Sequence, residues 1–390
     1  MQASKINVSV AKNDIKIANR LQNPSINTFF NFGEAGRGNP NQIGASEIIE
    51  LFKRGPRKKL AKAKYKLASD NYDYEKFNLK MDVAEAYIRL VVAKYVLKKY
   101  EQQQQYLESL HGIADRNNHK NKLVETELDV IQSRIALNEI TTKVNKAKSE
   151  TKIARIEFNR TINSKDGDYD SQDVGTKKLS ELISLDMPSL TEEIPAFTQI
   201  EDAALKNRYD IKIAKKQIDA AEKNLTVVIR QLVPDLEIEG GYAYQAANYS
   251  ESGTYKSGAY LSAALVNLPL FYTYKPEIKN AKLEIEQANI NYASTVNKAK
   301  KNLEIAYEKF TTARLILKNY DENILKDTDI LFKNFEKMYQ STNVDFSALV
   351  SIEETYYDLV NGYSSALIDY YVGWIDFLRE LNTENFAVQL

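Results

Sequence analysis

Apolar and small residues recur in alternating steps of four and three over two long stretches of the chain. The first reads Leu79, Val83, Ala86, Leu90, Ala93, Leu97, Tyr100, and the second Ala299, Leu303, Ala306, Phe310, Ala313, Leu317, Tyr320. Each is the seam of a long coiled-coil-like helix, and adding 220 to every position of the first gives the second. The same offset joins Pro56 to Pro276, Ala61 to Ala281, Tyr72 to Tyr292 and Tyr87 to Tyr307, while Pro24 pairs with Pro234 at an offset of 210. The chain therefore reads as two copies of one unit, with a longer segment between the prolines of the second copy.

The period of the pattern changes in the same order in both copies. Residues 5–22 read as a helix ended by Asn23-Pro24. A hairpin is expected over 25–52: Ile26, Thr28, Phe30 and Phe32 share a face, a Gly/Asn/Pro-rich turn follows, and Ile43 to Phe52 forms the second strand. A long helix is expected over 56–119, a rod of about 90 Å at 1.5 Å per residue, then a return helix over 124–163 and a mixed segment over 164–197. The second copy repeats this as helix 198–231, hairpin 235–271, long helix 276–340 and return helix 344–382. Strand 235–245 alternates, with Leu236, Ile238, Gly240, Tyr242 and Tyr244 on one face and Glu237, Glu239, Gly241, Ala243 and Gln245 on the other. The domain division expected is thus residues 1–195 for the first repeat and 196–390 for the second. The fold class is mostly α with a small β part.

Composition narrows what such a chain can do. Lys+Arg and Asp+Glu balance at 53 each, so no overall field favours nucleic acid. The apolar runs fall far below the roughly 18 residues of a membrane-spanning helix, so a membrane would have to be crossed by strands. No cysteine is present, which excludes disulfides, thiol catalysis and cysteine metal sites. Met1-Gln2-Ala3-Ser4-Lys5 shows no export leader, so an exported chain is expected to have had one removed. Neither a phosphate loop nor a nucleophile motif is present, and no enzyme activity or cofactor is expected.

Geometry then asks for partners. Strands of about ten residues can cross a bilayer when tilted, but four strands close no barrel and would leave open edges in lipid. Three chains would supply twelve strands. The long helices carry a narrow seam and must lie against other long helices.

This arrangement resembles the TolC-like outer-membrane efflux protein family. The resemblance rests on Asn23-Pro24-Ser25 and Val233-Pro234-Asp235-Leu236 before the two hairpins, on Leu268-Pro269-Leu270-Phe271 at the end of the last strand, on Glu277-Ile278-Lys279-Asn280-Ala281-Lys282 after it, and on Glu127-Leu128-Asp129-Val130-Ile131-Gln132 in the return helix. It implies a homotrimer with a twelve-stranded transmembrane β-barrel in the outer membrane of a Gram-negative cell and a long antiparallel α-helical barrel forming a periplasmic tunnel. It implies a passive exit duct of a tripartite efflux or type I export system, working with a periplasmic adaptor (membrane fusion) protein and an inner-membrane pump of RND type. The first hairpin, with Phe32-Gly33 and Arg37-Gly38, resembles the heavy-metal branch of the family. The competing reading is a soluble coiled-coil structural or interaction scaffold capped by short hairpins.

The resemblance also points to residues. Where the family often has a glycine at the helix tips that helps the adaptor dock, Leu123 and Thr342 stand here, with Val124 and Val344 beside them. The pore-narrowing aspartates known from the family are replaced by Ala348 and Ser351, leaving Asp345 nearby and Asp129 in the first repeat as constriction candidates. A ring of such carboxylates would bind cations, but the same residues also suit helix N-termini. Lys53-Arg54-Gly55-Pro56-Arg57-Lys58-Lys59 reads as a collar at headgroup level rather than a nucleic-acid patch. His111 and His119 are eight residues apart and suggest no metal site. Tyr242, Tyr244, Tyr249, Tyr255, Tyr260, Tyr272 and Tyr274 suggest an aromatic girdle, although strand propensity alone also enriches tyrosine.

Overall fold

A computed structural model describes residues 1–30, 41–121, 124–165, 168–171, 190, 192–244, 257–320, 327, 330, 334, 337 and 346–383. In chain order the elements are α1 (Gln2–Ala18), β1 (Ser25–Phe29), β2 (Asn41–Ile49), α2 (Arg54–Asn121), α3 (Val124–Thr161), α4 (Phe197–Asn207), α5 (Tyr209–Ile229) with a single 3₁₀ turn after it, β3 (Asp235–Tyr244), β4 (Gly258–Val266), α6 (Lys275–Asn319) and α7 (Phe346–Leu381). They form two compact units. One comprises Met1–Glu75 and Tyr209–Asn297, the other Lys76–Arg208 and Lys298–Leu390. Each unit takes residues from both halves of the chain, and α2 and α6 contribute to both.

The first unit contains one antiparallel sheet in the order β1-β2-β3-β4. The two hairpins meet where β2 pairs with β3, from Asn41 against Tyr244 to Ile49 against Leu236. Sequence-based boundaries needed correction at the strand ends. β2 stops at Ile49 rather than Phe52, and β4 stops at Val266 rather than Phe271. The cause is a left-handed turn at each corner: Phe52 has φ 59°, Asn267 φ 58° and Tyr274 φ 51°, a conformation that no strand continues and that side-chain-bearing residues adopt at a cost. The first helix also ends early, at Ala18 rather than residue 22. There the Arg57 guanidinium donates from Nε to the Ala18 carbonyl at 3.0 Å and from NH2 to the Arg20 carbonyl at 3.4 Å, satisfying carbonyls that lack a helical partner.

Asp235 ties the corners together. It is 4% exposed, its carboxylate lies 2.9 Å from Lys53 Nζ, and Asn267 Nδ2 donates to it at 3.1 Å. The β2–α2 and β4–α6 turns are therefore fastened to the first residue of β3. Side chains of Lys53 and Asp235 are mostly shielded from water, so this pair is stronger than an ordinary surface ion pair.

The second unit is packed around the α6 seam. Ala299, Leu303, Ala306, Phe310, Ala313 and Leu317 are all buried, as the period of four and three predicts. Phe310 is fully enclosed and meets three rings of α7: Trp374 at 4.9 Å, Tyr370 at 5.6 Å and Phe377 at 5.8 Å between centroids. The α2 seam is broader than expected. Leu90 and Tyr100 are buried, but so are Phe77, Met81, Ile88, Val91 and Val92, while Val83, Ala86, Ala93 and Leu97 are only half-buried. Two consecutive buried valines beside Leu90 widen the apolar stripe beyond a two-position heptad seam.

The expected helix 198–231 is two helices. Arg208 between them is extended, with φ −59° and ψ 131°. It is 6% exposed and its Nη1 donates to the Glu380 carbonyl at 2.7 Å and to the Glu380 carboxylate. A tertiary ion pair thus holds the break, at a point where Lys206-Asn207 and Asp210 are also weak stop and start signals. Gly112, by contrast, sits inside α2 without ending it.

A carboxyl group is deeply buried in this unit. Glu353 on α7 is 3% exposed. Tyr357 Oη donates to its Oε1 at 2.5 Å, Lys143 Nζ of α3 lies 3.4 Å from the centre of the Tyr357 ring, and the Tyr100 ring of α2 meets Tyr357 edge-on at 5.6 Å. Burial pushes the Glu353 carboxyl up to about 7, against the lowering pull of the Tyr357 hydrogen bond and Lys143. Its folded-state value lies above its unfolded value, so the folded chain holds a proton that the unfolded chain has released. Stability from this group is present in acid and is lost as pH rises from the ordinary carboxylate range through about 7. Glu353→Gln keeps an acceptor for Tyr357 and removes the titration. Thermal unfolding at pH 8 is expected to show Glu353→Gln more stable than the parent by about 2–3 kcal/mol, and the difference should vanish near pH 4.

Candidate functional site

The strand pairing decides what each face of the sheet carries, because residues directly opposite in an antiparallel pair share a face. One face holds Ile26 and Thr28 of β1, Asn41, Ile43, Ala45, Glu47 and Ile49 of β2, Leu236, Ile238, Gly240, Tyr242 and Tyr244 of β3, and Ala259, Leu261, Ala263 and Leu265 of β4. The opposite face holds Ser25, Asn27 and Phe29, then Gln42, Gly44, Ser46 and Ile48, then Glu237, Glu239, Gly241 and Ala243, then Tyr260, Ser262 and Ala264. The first face is almost entirely apolar and the second mostly polar.

The apolar face is not covered as it would be in a soluble sheet. Ile26 and Leu261 on the apolar face are each 80% exposed, with Ile43, Leu265, Tyr242 and Ile49 also open. On the polar face of the same β2 strand, Gly44 and Ser46 are buried. A sheet folded in water hides its apolar side and wets its polar side. Here the apolar face is open on every strand, while the polar face is buried on β2 and exposed at Asn27, Phe29 and Ser262; an open apolar face on strands is the pattern of a wall against lipid. Strand lengths agree: β2, β3 and β4 have 9, 10 and 9 residues, close to the number a tilted strand needs to cross a bilayer.

The inward face is ordered by its own hydrogen bonds. Asn27 Nδ2 donates to Ser46 Oγ at 3.0 Å, and Tyr260 Oη donates to Glu239 Oε1 at 2.8 Å. The Tyr260 phenol reaches that carboxylate by lying across Gly44 and Gly241. A Cβ on Gly241 would come within 2.9 Å of the phenol oxygen and within 2.4 Å of the Ile43 carbonyl oxygen, and one on Gly44 within 2.7 Å of the phenol oxygen. The glycines at these positions make room for the ring. All charged residues of the described strands are acidic: Glu47, Asp235, Glu237 and Glu239. Glu47 alone faces the apolar side, near the helix end of β2, where charge costs least.

Among the residues singled out in the sequence, the tyrosines divide. Tyr242 and Tyr244 lie on the outward face, but Tyr260 lies on the inward one and so does not join an outer girdle. Tyr272 and Tyr274 meet edge-on at 5.3 Å just before α6. Tyr249 and Tyr255 are outside the described residues. So are Leu123, Thr342, Val344 and Asp345, which leaves Val124, a 75% exposed side chain at the start of α3, and Asp129, half-buried on the same helix. His111 Nδ1 is hydrogen-bonded with Ser133 Oγ at 2.7 Å, and His119 Nδ1 with the Asp115 carbonyl at 2.9 Å. Among the described residues no group of three or more His, Cys, Asp or Glu could hold a metal ion, and no helix is long and apolar enough to cross a membrane.

The described chain thus combines a four-stranded antiparallel sheet that has one exposed apolar face with several long α-helices. Comparison with known proteins finds the same combination. Residues 201–341 match the family described as outer membrane efflux protein. Among solved structures, the CmeC outer membrane channel of Campylobacter jejuni aligns with TM-score 0.71 at 13% identity, covering 97% of this chain and 82% of CmeC. CusC aligns with TM-score 0.72 at 16% identity, covering 97% and 88%. The MtrE outer membrane channel of Neisseria gonorrhoeae, in its open state, aligns with TM-score 0.70 at 16% identity, covering 98% and 86%. At these identities the likeness is one of fold. A search of curated proteins finds no match. The resemblance to TolC-like outer-membrane efflux proteins drawn from the sequence is borne out by the family match and the shared fold.

Neighbouring substitutions on β4 separate the two faces. Leu261→Lys puts a charge on the outward face and is expected to lose about 2–4 kcal/mol of unfolding free energy in lipid vesicles. Ser262→Lys, one residue on, is expected to change it by under about 1 kcal/mol. Equilibrium denaturant unfolding of both variants checks this.

Proposed function

We propose that this chain is one subunit of an outer-membrane efflux channel, a passive conduit that carries cargo from a periplasmic adaptor and an inner-membrane pump to the outside. The single observation that carries the reading is the inverted sheet: in water it would expose its apolar face for nothing, and in a bilayer that face is solvated by lipid. The match to the outer membrane efflux protein family and the shared fold with outer-membrane channels support it. A soluble coiled-coil scaffold is not favoured, since it leaves Ile26, Leu261 and Leu265 facing water without a role.

The assembly is a homotrimer. The sheet ends in two open edges, β1 and β4, and an open edge in lipid leaves backbone groups unsatisfied at several kcal/mol each. Pairing β1 of one copy with β4 of the next removes every edge, and three copies give a closed twelve-stranded barrel whose inner wall carries Glu237, Glu239 and Tyr260. The chain is organised as two repeats, 1–195 and 196–390. The two places where the chain passes between compact units along a long helix, after Glu75 and after Asn297, lie about 220 residues apart, which supports duplication. The helices stand in the periplasm as a tunnel. Its far tips, with Leu123, Val124, Thr342 and Val344, dock the adaptor, and Asp129 and Asp345 line the constriction there. The pump is of RND type.

Strand-edge cross-linking tests the assembly. The chain has no cysteine, so one introduced in β1 (residues 25–29) and one in β4 (residues 258–266) can meet only across two copies. Outer-membrane fractions of such double variants are expected to yield a covalent trimer for at least one pairing. Recovery of the chain as a buffer-soluble monomer with no intermolecular bond would contradict the proposal.

A further inference from the structure

The strand-to-helix corner contains more positive charge than the corner itself uses. Five of the seven residues from Lys53 to Lys59 are basic. Two of them have structural partners: Lys53 on Asp235, and Arg57 on Glu50 at 2.7 Å. Arg54, Lys58 and Lys59 have no ion pair among the described residues, and Arg54 Nε is buried with no hydrogen-bond partner. All three stand in the first two turns of α2, a helix with no acidic residue in its first turn. Cations are unfavourable at that end of a helix, where the dipole favours anions. Local stability therefore does not account for them.

The same corner displays apolar side chains to solvent. Phe52, directly before Lys53, is 71% exposed and held in the left-handed conformation at φ 59°. Leu268, Leu270 and Phe271 follow Asn267 and are 49%, 72% and 102% exposed. Lys53 and Asn267 both bond the Asp235 carboxylate, so the two apolar groups flank one point, adjoining the outward face of the sheet through Ile49 and Leu265. Tyr272 and Tyr274 continue the run towards Lys275 and Lys279 of α6, neither of which has an ion pair among the described residues; between them Glu277 accepts a hydrogen bond from the Tyr272 phenol at 2.7 Å. Exposed apolar anchors, amphipathic rings and unpaired cations, in that order from strand to helix, match the layers of a bilayer surface: acyl chain, interface, anionic headgroup.

We propose that this corner is a docking surface for anionic phospholipid on the helix side of the membrane, with Phe52, Leu270 and Phe271 in the acyl region and Arg54, Lys58 and Lys59 on the phosphate groups. The proposal rests on the membrane reading of the sheet and adds a lipid preference to it. The surface fixes the depth of the barrel, because apolar anchors and cations on one rigid corner cannot both be satisfied if the sheet moves along the bilayer normal.

The test uses the full chain in detergent, mixed with vesicles of phosphatidylcholine alone or of phosphatidylcholine with 30% phosphatidylglycerol, and floated on a density gradient. Wild type is expected to partition on the order of tenfold or more in favour of the anionic vesicles at low salt, and to lose that preference at about 1 M NaCl. Arg54→Gln/Lys58→Gln/Lys59→Gln is expected to lose it at low salt while still floating with both vesicles. A preference that persists at high salt, or equal partition of wild type into both vesicles, overturns the lipid preference and leaves the membrane reading standing. Failure to float with either vesicle overturns both. The salt result needs no variant, so it decides even if the triple variant fails to fold.

Discussion

A backbone amide in hydrocarbon has no water to fall back on, and in the proposed membrane reading that one constraint organises this molecule. Four strands can satisfy one another's amides internally but not at the two edges of the sheet. The side chains are sorted for the same solvent: Ile26, Ile43, Leu261 and Leu265 point outward, while Asn27, Ser46 and Glu239 point inward and bond across the strands. A single chain meets half of the requirement. Its exposed apolar face suits a bilayer, and in the trimer proposed above further copies close its open edges, so that assembly would follow from the solvent rather than from any specific adhesive patch.

Joining such a sheet to helices creates a second problem, because strand and helix need different backbone conformations and, in the proposed reading, the turn between them sits where lipid meets water. The chain solves it with left-handed residues at Phe52, Asn267 and Tyr274 and with a shielded carboxylate, Asp235, that holds Lys53 and Asn267 together. Side chains on the strained turns are then free to serve the interface. Away from the sheet, ordinary burial takes over: Phe310 among Tyr370, Trp374 and Phe377 packs as the core of any helical protein does.

Much of this was legible in the sequence where one physical rule acts alone. The α6 seam was readable because period decides burial on a helix, and Ala299 to Leu317 are buried as the spacing requires. The two faces of β3 were readable from strict alternation. What the sequence hid is tertiary. Only weak local signals, Asn207 and Asp210, mark the helix break at Arg208; its extended conformation is held by Glu380, far away in the chain. Strand ends were overextended because Leu268-Pro269-Leu270-Phe271 has strand-like composition, while the left-handed Asn267 ends the strand before it. Tyr260 looked like its neighbouring tyrosines until pairing with Gly241 assigned it to the inner face. Burial of Glu353 depends on the Tyr357, Tyr100 and Lys143 side chains of three helices and has no signature in the residues around it.

The central claim is that the outward face of the sheet is solvated by lipid and the inward face by water. Single cysteines placed at successive positions of β4 and spin-labelled, in protein reconstituted in bilayers, measure this directly through collision rates with oxygen and with a water-soluble nickel chelate. The account predicts alternation, with oxygen dominating at 259, 261, 263 and 265 and the chelate at 260, 262 and 264. Equal chelate access at both sets would mean that both faces lie in water, and the sheet would not be a membrane wall.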